Sequence, residues 1–258
     1  DTSKVTSMGG MFRNCESLEY VGVDNFDTSQ VTDMAAMFFD CGKLKWLGVK
    51  NFNTSNVTNM SALFRSCESL KRLDVSGWDT AKVTNMHAMF FDCKNLESLD
   101  VSAFDTACVT DMTDMFAFCD KIEKLDLRNF DTSSVTDMSS MFLGCSALAE
   151  LNVDNFHTEN VVNMHDMFYN CKTLERLDLS SFDTKNVKNM SGMFGYCENM
   201  IKLRLTSFTT SKVEDMSYMF SGFRNVQILD LENFDFSWVT NYEGFMLRDE
   251  TYNGRPWE

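Results

Sequence analysis

The chain has 258 residues, 44% of them hydrophobic, which allows a substantial core and argues against wholesale disorder. Its net charge of −15 argues against a nucleic-acid backbone or an anionic membrane surface as partner, because both call for clustered Lys and Arg. No apolar run reaches the roughly 18 residues of a spanning helix, so direct membrane insertion is not expected of this stretch.

The organisation is a repeat. Aromatic residues recur at Phe26, Phe52, Trp78, Phe104, Phe130, Phe156, Phe182, Phe208 and Phe234, and cysteines from Cys15 to Cys197, always 26 residues apart and without insertion or deletion. Such a period marks a solenoid in which each unit is one coil. Positions within a coil are numbered as slots 1–26 counting from Asp1. Apolar residues fill slots 5, 8, 11, 12, 15, 18, 21, 23 and 26.

In chain order, a coil starts with Asp-Thr-Ser at slots 1–3, where the Asp can close an Asx-turn. Ser-x-Val-Thr at slots 3–6 predicts a short extended bridge. Slot 7 holds only Ser, Asp or Asn (Ser7, Asp33, Asn59 and their equivalents to Asn241), which cap helix starts. Met-x-x-Met-Phe-x-x-Cys follows, with apolar groups at i, i+3, i+4 and i+7, and predicts a helix of about two turns from slot 8. Slot 14, often Asn, Asp, Gly or Ser, would end it. The Leu-x-Leu or Leu-x-Val ending at slot 23 predicts a strand with slots 21 and 23 inward and slots 20, 22 and 24 outward. The fold expected is α/β: a single-domain β/α solenoid of about ten coils, with a parallel strand ladder on one face and short helices on the other. At strand spacing it would run roughly 48 Å along its axis. Residues 1–234 form the array, opening in mid-motif as a truncated end would. Residues 235–258, with Phe236, Trp238, Tyr242, Phe245, Trp257 and the single proline Pro256, are expected to be a divergent last repeat and C-terminal cap.

The repeat FDTSxVTDMxxMFxxCxxLxxLDVS, seen from Phe104 onward, closely resembles the BspA-type leucine-rich repeat proteins of bacterial and mycoplasma surfaces. The resemblance covers about 1–234. It implies a β/α solenoid, an extracellular or cell-surface location, a role in adhesion or other binding, and no catalytic residues.

Site candidates divide between core and surface. Met112, Met115 and Cys119 share a face, and their thioethers and thiol would suit a soft metal such as Cu(I). The same slots also hold Leu63 and Phe223, which fit a core but cannot be ligands, so packing is the better reading and neither metal nor cofactor is expected. The cysteines read as buried free thiols, apart from an exposed, oxidisable Cys108. His87 and His165 share a slot three coils apart, His157 replaces a turn Asp, and no Ser-His-Asp set, phosphate loop or Cys-x-x-Cys is evident, so an enzyme is not expected.

Repeats stop agreeing on the outward strand face. Slot 22 carries Asp74, Asp100, Asp126, Asp178 and Asp230, which would repel when stacked. Arg72, Lys124, Arg176 and Lys202 at slot 20 are placed to compensate them; a basic partner or a divalent cation along the aspartates is the alternative. In the first two coils slot 20 is Tyr20 and Trp46, followed by Gly22 and Gly48. Two exposed aromatics beside two missing side chains make an anchor for a protein or glycan of a host or neighbouring cell. The pair could equally pack against further repeats. Adhesion through Tyr20, Trp46, Gly22, Gly48, Arg72, Asp74, Asp100, Lys124 and Asp126 is the leading functional expectation. A passive spacer displaying another domain is the alternative, and metal binding by the Met/Cys columns comes third.

Overall fold

A computed structural model describes residues 1–247, so the expectations placed on Pro256 and Trp257 lie outside the described residues. The chain winds as a solenoid in 26-residue coils. Eight short strands mark one wall: β1 (Tyr20–Val21), β2 (Trp46–Leu47), β3 (Arg72–Leu73), β4 (Ser98–Leu99), β5 (Lys124–Asp126), β6 (Glu150–Asn152), β7 (Arg176–Asp178) and β8 (Lys202–Arg204). They pair in parallel as β1–β2, β3–β4, β5–β6 and β7–β8, each residue facing its equivalent one coil away. Slot 21 points inward and slot 20 outward, as alternation requires: Leu125 is buried between exposed Lys124 and Asp126. A second parallel ladder runs unbroken through slot 7, from Ser7 to Asn241.

The expected helices are absent among the described residues, and the backbone hydrogen bonds say why. Slots 8–15 form three overlapping turns, in which the N–H of Met37 donates to the carbonyl of Met34, Phe39 to Ala36 and Cys41 to Phe38. The alternate N–H groups point along the axis: those of Met34, Ala36, Phe38 and Asp40 donate to the carbonyls of Asn59, Ser61, Leu63 and Arg65 in the next coil. A helix would keep all these bonds within one coil, and its diameter of about 10 Å does not fit a rung near 4.8 Å. The first and last of these turns carry a left-handed residue at their third position, as in type II turns, at slots 10 and 14: Ala36 (φ 54°) and Asp40 (φ 60°) for example. The turn wall is therefore hydrogen-bonded from each coil to the next, whereas the strand wall is bonded in four separate pairs. The slot-7 side chain does accept from the N–H two residues on (Asp33 Oδ1 from Ala35, 3.1 Å), but it closes an Asx-turn rather than capping a helix.

The core is a set of columns. Slot-12 phenylalanines stack continuously from Phe12 to Phe220, with the rings of Phe116 and Phe142 5.8 Å apart and 5° from parallel. Methionines at slots 8 and 11 fill the space beside them, Met112 and Met115 being fully buried. Slot 2 carries a buried threonine column that sequence reading passed over. Thr132 Oγ donates to the His157 carbonyl and accepts from the His157 N–H, both at 2.8 Å, so one hydroxyl satisfies both backbone groups of the next coil. Cysteine thiols play a similar part: Cys119 Sγ donates to the Phe90 carbonyl one coil back.

After Phe220 the stack ends. Phe223 and Phe245 meet Phe220 edge-on, at 64° and 86°, and Phe236 stands where threonine stood in every earlier coil.

Candidate ligand-binding face

The strand wall presents slots 20, 22 and 24 to solvent on a nearly constant backbone, so its differences are differences of side-chain chemistry. At slot 20 the four strand pairs set Tyr20 against Trp46, Arg72 against Ser98, Lys124 against Glu150, and Arg176 against Lys202. The structure brings the two candidate aromatics side by side and leaves them 62% and 52% exposed. The glycines beside them are not equivalent. A Cβ at Gly48 would lie 2.6 Å from Cη2 of Trp46 and would also strike the Asp24 carboxylate, so the indole already occupies that space; a Cβ at Gly22 would meet nothing within 4 Å. The opening expected beside both aromatics therefore exists only at Gly22. Lys45, ion-paired to Glu19 at 2.6 Å, sits 6.0 Å from the Tyr20 ring centre and adds a cation to the aromatic end.

The aspartate column is built differently from the expectation. Each carboxylate folds back onto its own turn, accepting the N–H two residues on: Asp74 from Ser76, Asp100 from Ser102, Asp126 from Arg128 and Asp178 from Ser180. The column is turn-forming first, which is why Asn152 serves equally well. The compensating cations come from slots 24 and 22 rather than slot 20: Lys50 reaches Asp74 at 3.0 Å, Arg128 reaches Asp126 at 2.6 Å and Arg204 reaches Asp178 at 2.8 Å. Hydrogen bonds from Ser76 and then Lys50 bring the Asp74 carboxyl down to about 2, and those of Arg128 do the same for Asp126. Lys124 pairs instead with Glu150 at 2.6 Å. Among the described residues no group of His, Cys, Asp and Glu is arranged to hold a metal ion.

The Met/Cys columns are engaged in packing. Burial pushes the thiols of Cys93, Cys145 and Cys197 up to about 12, which disfavours the thiolate a metal would need, while Cys108 is exposed.

The opposite, turn-rich wall holds two arrangements that sequence reading missed. Slot 13 alternates Arg13, Phe39, Arg65 and Phe91, with the Arg13 guanidinium 4.8 Å over Phe39 and that of Arg65 4.0 Å over Phe91. The alternation is visible once slot 13 is read as a column. Further along, Asp166, His165 and Ser191 come together although no Ser-His-Asp set was evident in the sequence. His165 Nε2 lies 3.0 Å from Asp166 Oδ2, and Nδ1 lies 2.8 Å from Ser191 Oγ and 3.1 Å from its carbonyl. A carbonyl only accepts, so a bond to it requires a proton on Nδ1, as a bond to the carboxylate requires one on Nε2. Ser191 Oγ donates to Asn189 Oδ1 at 2.6 Å. In its imidazolium form the ring donates at both nitrogens, and the hydrogen bond it donates to Asp166 raises its pKa despite half-burial. In that form the ion pair lies within one coil, His165 to Asp166, and the contact of Nδ1 with Ser191 ties it to the next coil.

A family described as a Mycoplasma protein of unknown function, DUF285, matches the chain in four overlapping stretches: residues 1–72, 62–176, 115–227 and 147–256. No curated protein matches it. Among solved structures it is similar to a leucine-rich repeat protein from Bacteroides ovatus at 18% identity, over 85% of this chain and 63% of that one, with a TM-score of 0.42. A leucine-rich repeat protein from Eubacterium ventriosum is similar at 14% identity over 93% of this chain and 58% of that one, TM-score 0.33. The functional domain of InlJ from Listeria monocytogenes, which includes a cysteine ladder, is similar at 12% identity, over 91% and 55%, TM-score 0.29. The chain spans less than two thirds of the length of each of these structures.

Proposed function

The chain belongs to the DUF285 family, and from that membership and the chemistry of its strand wall we propose that it is a non-enzymatic recognition module of a cell surface, engaging a host or neighbouring-cell protein or glycan. The observation that carries this reading is the exposed Tyr20–Trp46 pair. Side chains shared by all coils are interior or close turns, whereas these two are large and accessible, and they are the slot-20 aromatics, found in the first two coils. Aromatic anchors of this kind supply much of the energy at protein and sugar interfaces. Gly22 keeps the space beside Tyr20 open, and Arg72, Asp74, Asp100, Lys124 and Asp126 line the face beyond it as a polar rim.

Residues 1–234 act as the array and the described residues after 234 begin its cap; the edge-on ring of Phe245 against Phe220 at the end of the stack supports this division. Surface location rests on the family and the repeat motif. No helix among the described residues is long and apolar enough to cross a membrane.

The test is a glycan and host-protein array probed with wild type and with a Tyr20→Ala/Trp46→Ala double variant. The recognition reading expects a discrete set of binders, lost in the variant. Uniformly absent binding would favour a passive spacer, a role that two hydrogen-bonded walls would also serve.

A further inference from the structure

At β7–β8, Arg176 and Lys202 face each other directly across the strand pair, both exposed. Like charges in directly opposed positions of a sheet repel, and this pair stands in a chain with 38 acidic and 23 basic residues. Acidic neighbours are plentiful, yet among the described residues neither side chain has an ion-pair or hydrogen-bond partner. The nearby Arg204 is engaged with Asp178.

The same backbone at β5–β6 provides the control. Its cleft of about 330 Å³ is lined by Lys124, Asp126, Arg128 and Glu150, whose charges are matched within the protein, Lys124 to Glu150 and Arg128 to Asp126, both at 2.6 Å. Around Arg176 and Lys202 lie two clefts, of about 410 and 280 Å³, which share these two cations and Arg204. The larger one adds Ile201 and Ile228, the latter 76% exposed, and one carboxylate, Asp230, to its lining. A cavity of that size is within the roughly 300–1,000 Å³ of small-ligand and peptide-anchor sites.

We propose that the Arg176–Lys202 rung and its cleft bind an acidic polypeptide segment, with carboxylates neutralising the two opposed cations and an adjacent apolar side chain covering Ile201 and Ile228. Charge complementarity selects an anion. The aliphatic lining selects a peptide over an acidic saccharide, because sugar rings pack on aromatic faces and none lines this cleft. This inference rests on the strand wall being the recognition surface, but it uses residues apart from the Tyr20–Trp46 pair.

The experiment is fluorescence anisotropy with a labelled peptide of alternating glutamate and leucine and with a heparin oligosaccharide. It compares wild type with Arg176→Gln/Lys202→Gln, Lys124→Gln and Tyr20→Ala/Trp46→Ala, each checked for native circular dichroism. Expected are peptide binding by wild type that weakens as salt rises, a loss of at least tenfold in Arg176→Gln/Lys202→Gln, and no change in the other two variants. Equal peptide affinity in wild type and Arg176→Gln/Lys202→Gln, no peptide binding by wild type, or tighter binding of heparin than of peptide would each overturn the proposal. Loss of array binders in Tyr20→Ala/Trp46→Ala with peptide binding kept would locate any failure in one site and not the other. A ligand-free measurement adds to this: Lys202→Glu should raise the thermal midpoint by about 1–2 °C, and a fall would show that the opposed cations are not frustrated.

Discussion

The β5–β6 and β7–β8 pairs are the same structure inside and different molecules outside. Leu125 faces Leu151 and Leu177 faces Leu203 in identical register, and the rings of Phe142 and Phe194 belong to one continuous stack. Outside, Lys124 meets Glu150 while Arg176 meets Lys202. The columns of Phe, Met, Cys and Thr, with the turn wall bonded from coil to coil and the strands bonded in pairs, fix the backbone without help from slot 20. Surface chemistry can then be set rung by rung, even against its own electrostatics.

Breaking the shared interior should cost the two regions alike. Phe142→Ala and Phe194→Ala each remove a fully buried ring from the stack and should each lower stability by about 3–5 kcal/mol, read by urea unfolding. A large difference between them would mean that the coils are not energetically equivalent. Thr132→Val and Thr184→Val come next. Each keeps the shape of the side chain but leaves a part-buried N–H and carbonyl of the following coil without the hydroxyl, at about 1 kcal/mol.

Two pH effects sharpen the contrast at the surface. The imidazolium of His165 contributes fully below its ordinary value of 6.5, and that contribution fades as pH rises through its higher folded value. His165→Gln should therefore flatten the decline of the thermal midpoint as pH rises above 6.5. The Asp126 carboxyl has the opposite sign: its contribution is present above 3.8 and is lost as pH falls toward about 2. Asp126→Asn keeps the Asx-turn, as Asn152 does naturally, and removes only the charge; acid titration followed by circular dichroism should show a shallower loss below pH 4. Smallest is Glu150→Lys, which imposes on β5–β6 the opposed cations of β7–β8. It should lower the thermal midpoint by about 1–2 °C.

Much of this was legible in the chain. The 26-residue period, the inward slots and the outward aromatics needed only the alternation of burial. The second wall was misread for a definite reason: three overlapping turns bury slots 8, 11, 12 and 15 just as two turns of helix would, and the slot-7 side chain serves an Asx-turn as it would an N-cap. Periodicity reports which side chains face inward, not where the N–H groups donate. The recurring tolerance of Asn, Asp and Gly at slot 14 was a sign of left-handed backbone, and the unbroken threonines of slot 2 were a sign of a polar column inside. Neither has meaning until the neighbouring coil is in place. The Arg176–Lys202 opposition was written in the sequence too, but its lack of partners depends on Arg204 turning to Asp178.

The central claim is that slots shared by all coils lie inside, so the nine cysteines report on it directly. Seven are buried, Cys15 is half-buried and Cys108 is exposed. Titration of the reduced native protein with a chromogenic disulfide reagent should show one fast thiol, abolished by Cys108→Ser, a slower one from Cys15, and the remaining seven only on unfolding. Rapid modification of several thiols in Cys108→Ser under native conditions would contradict it.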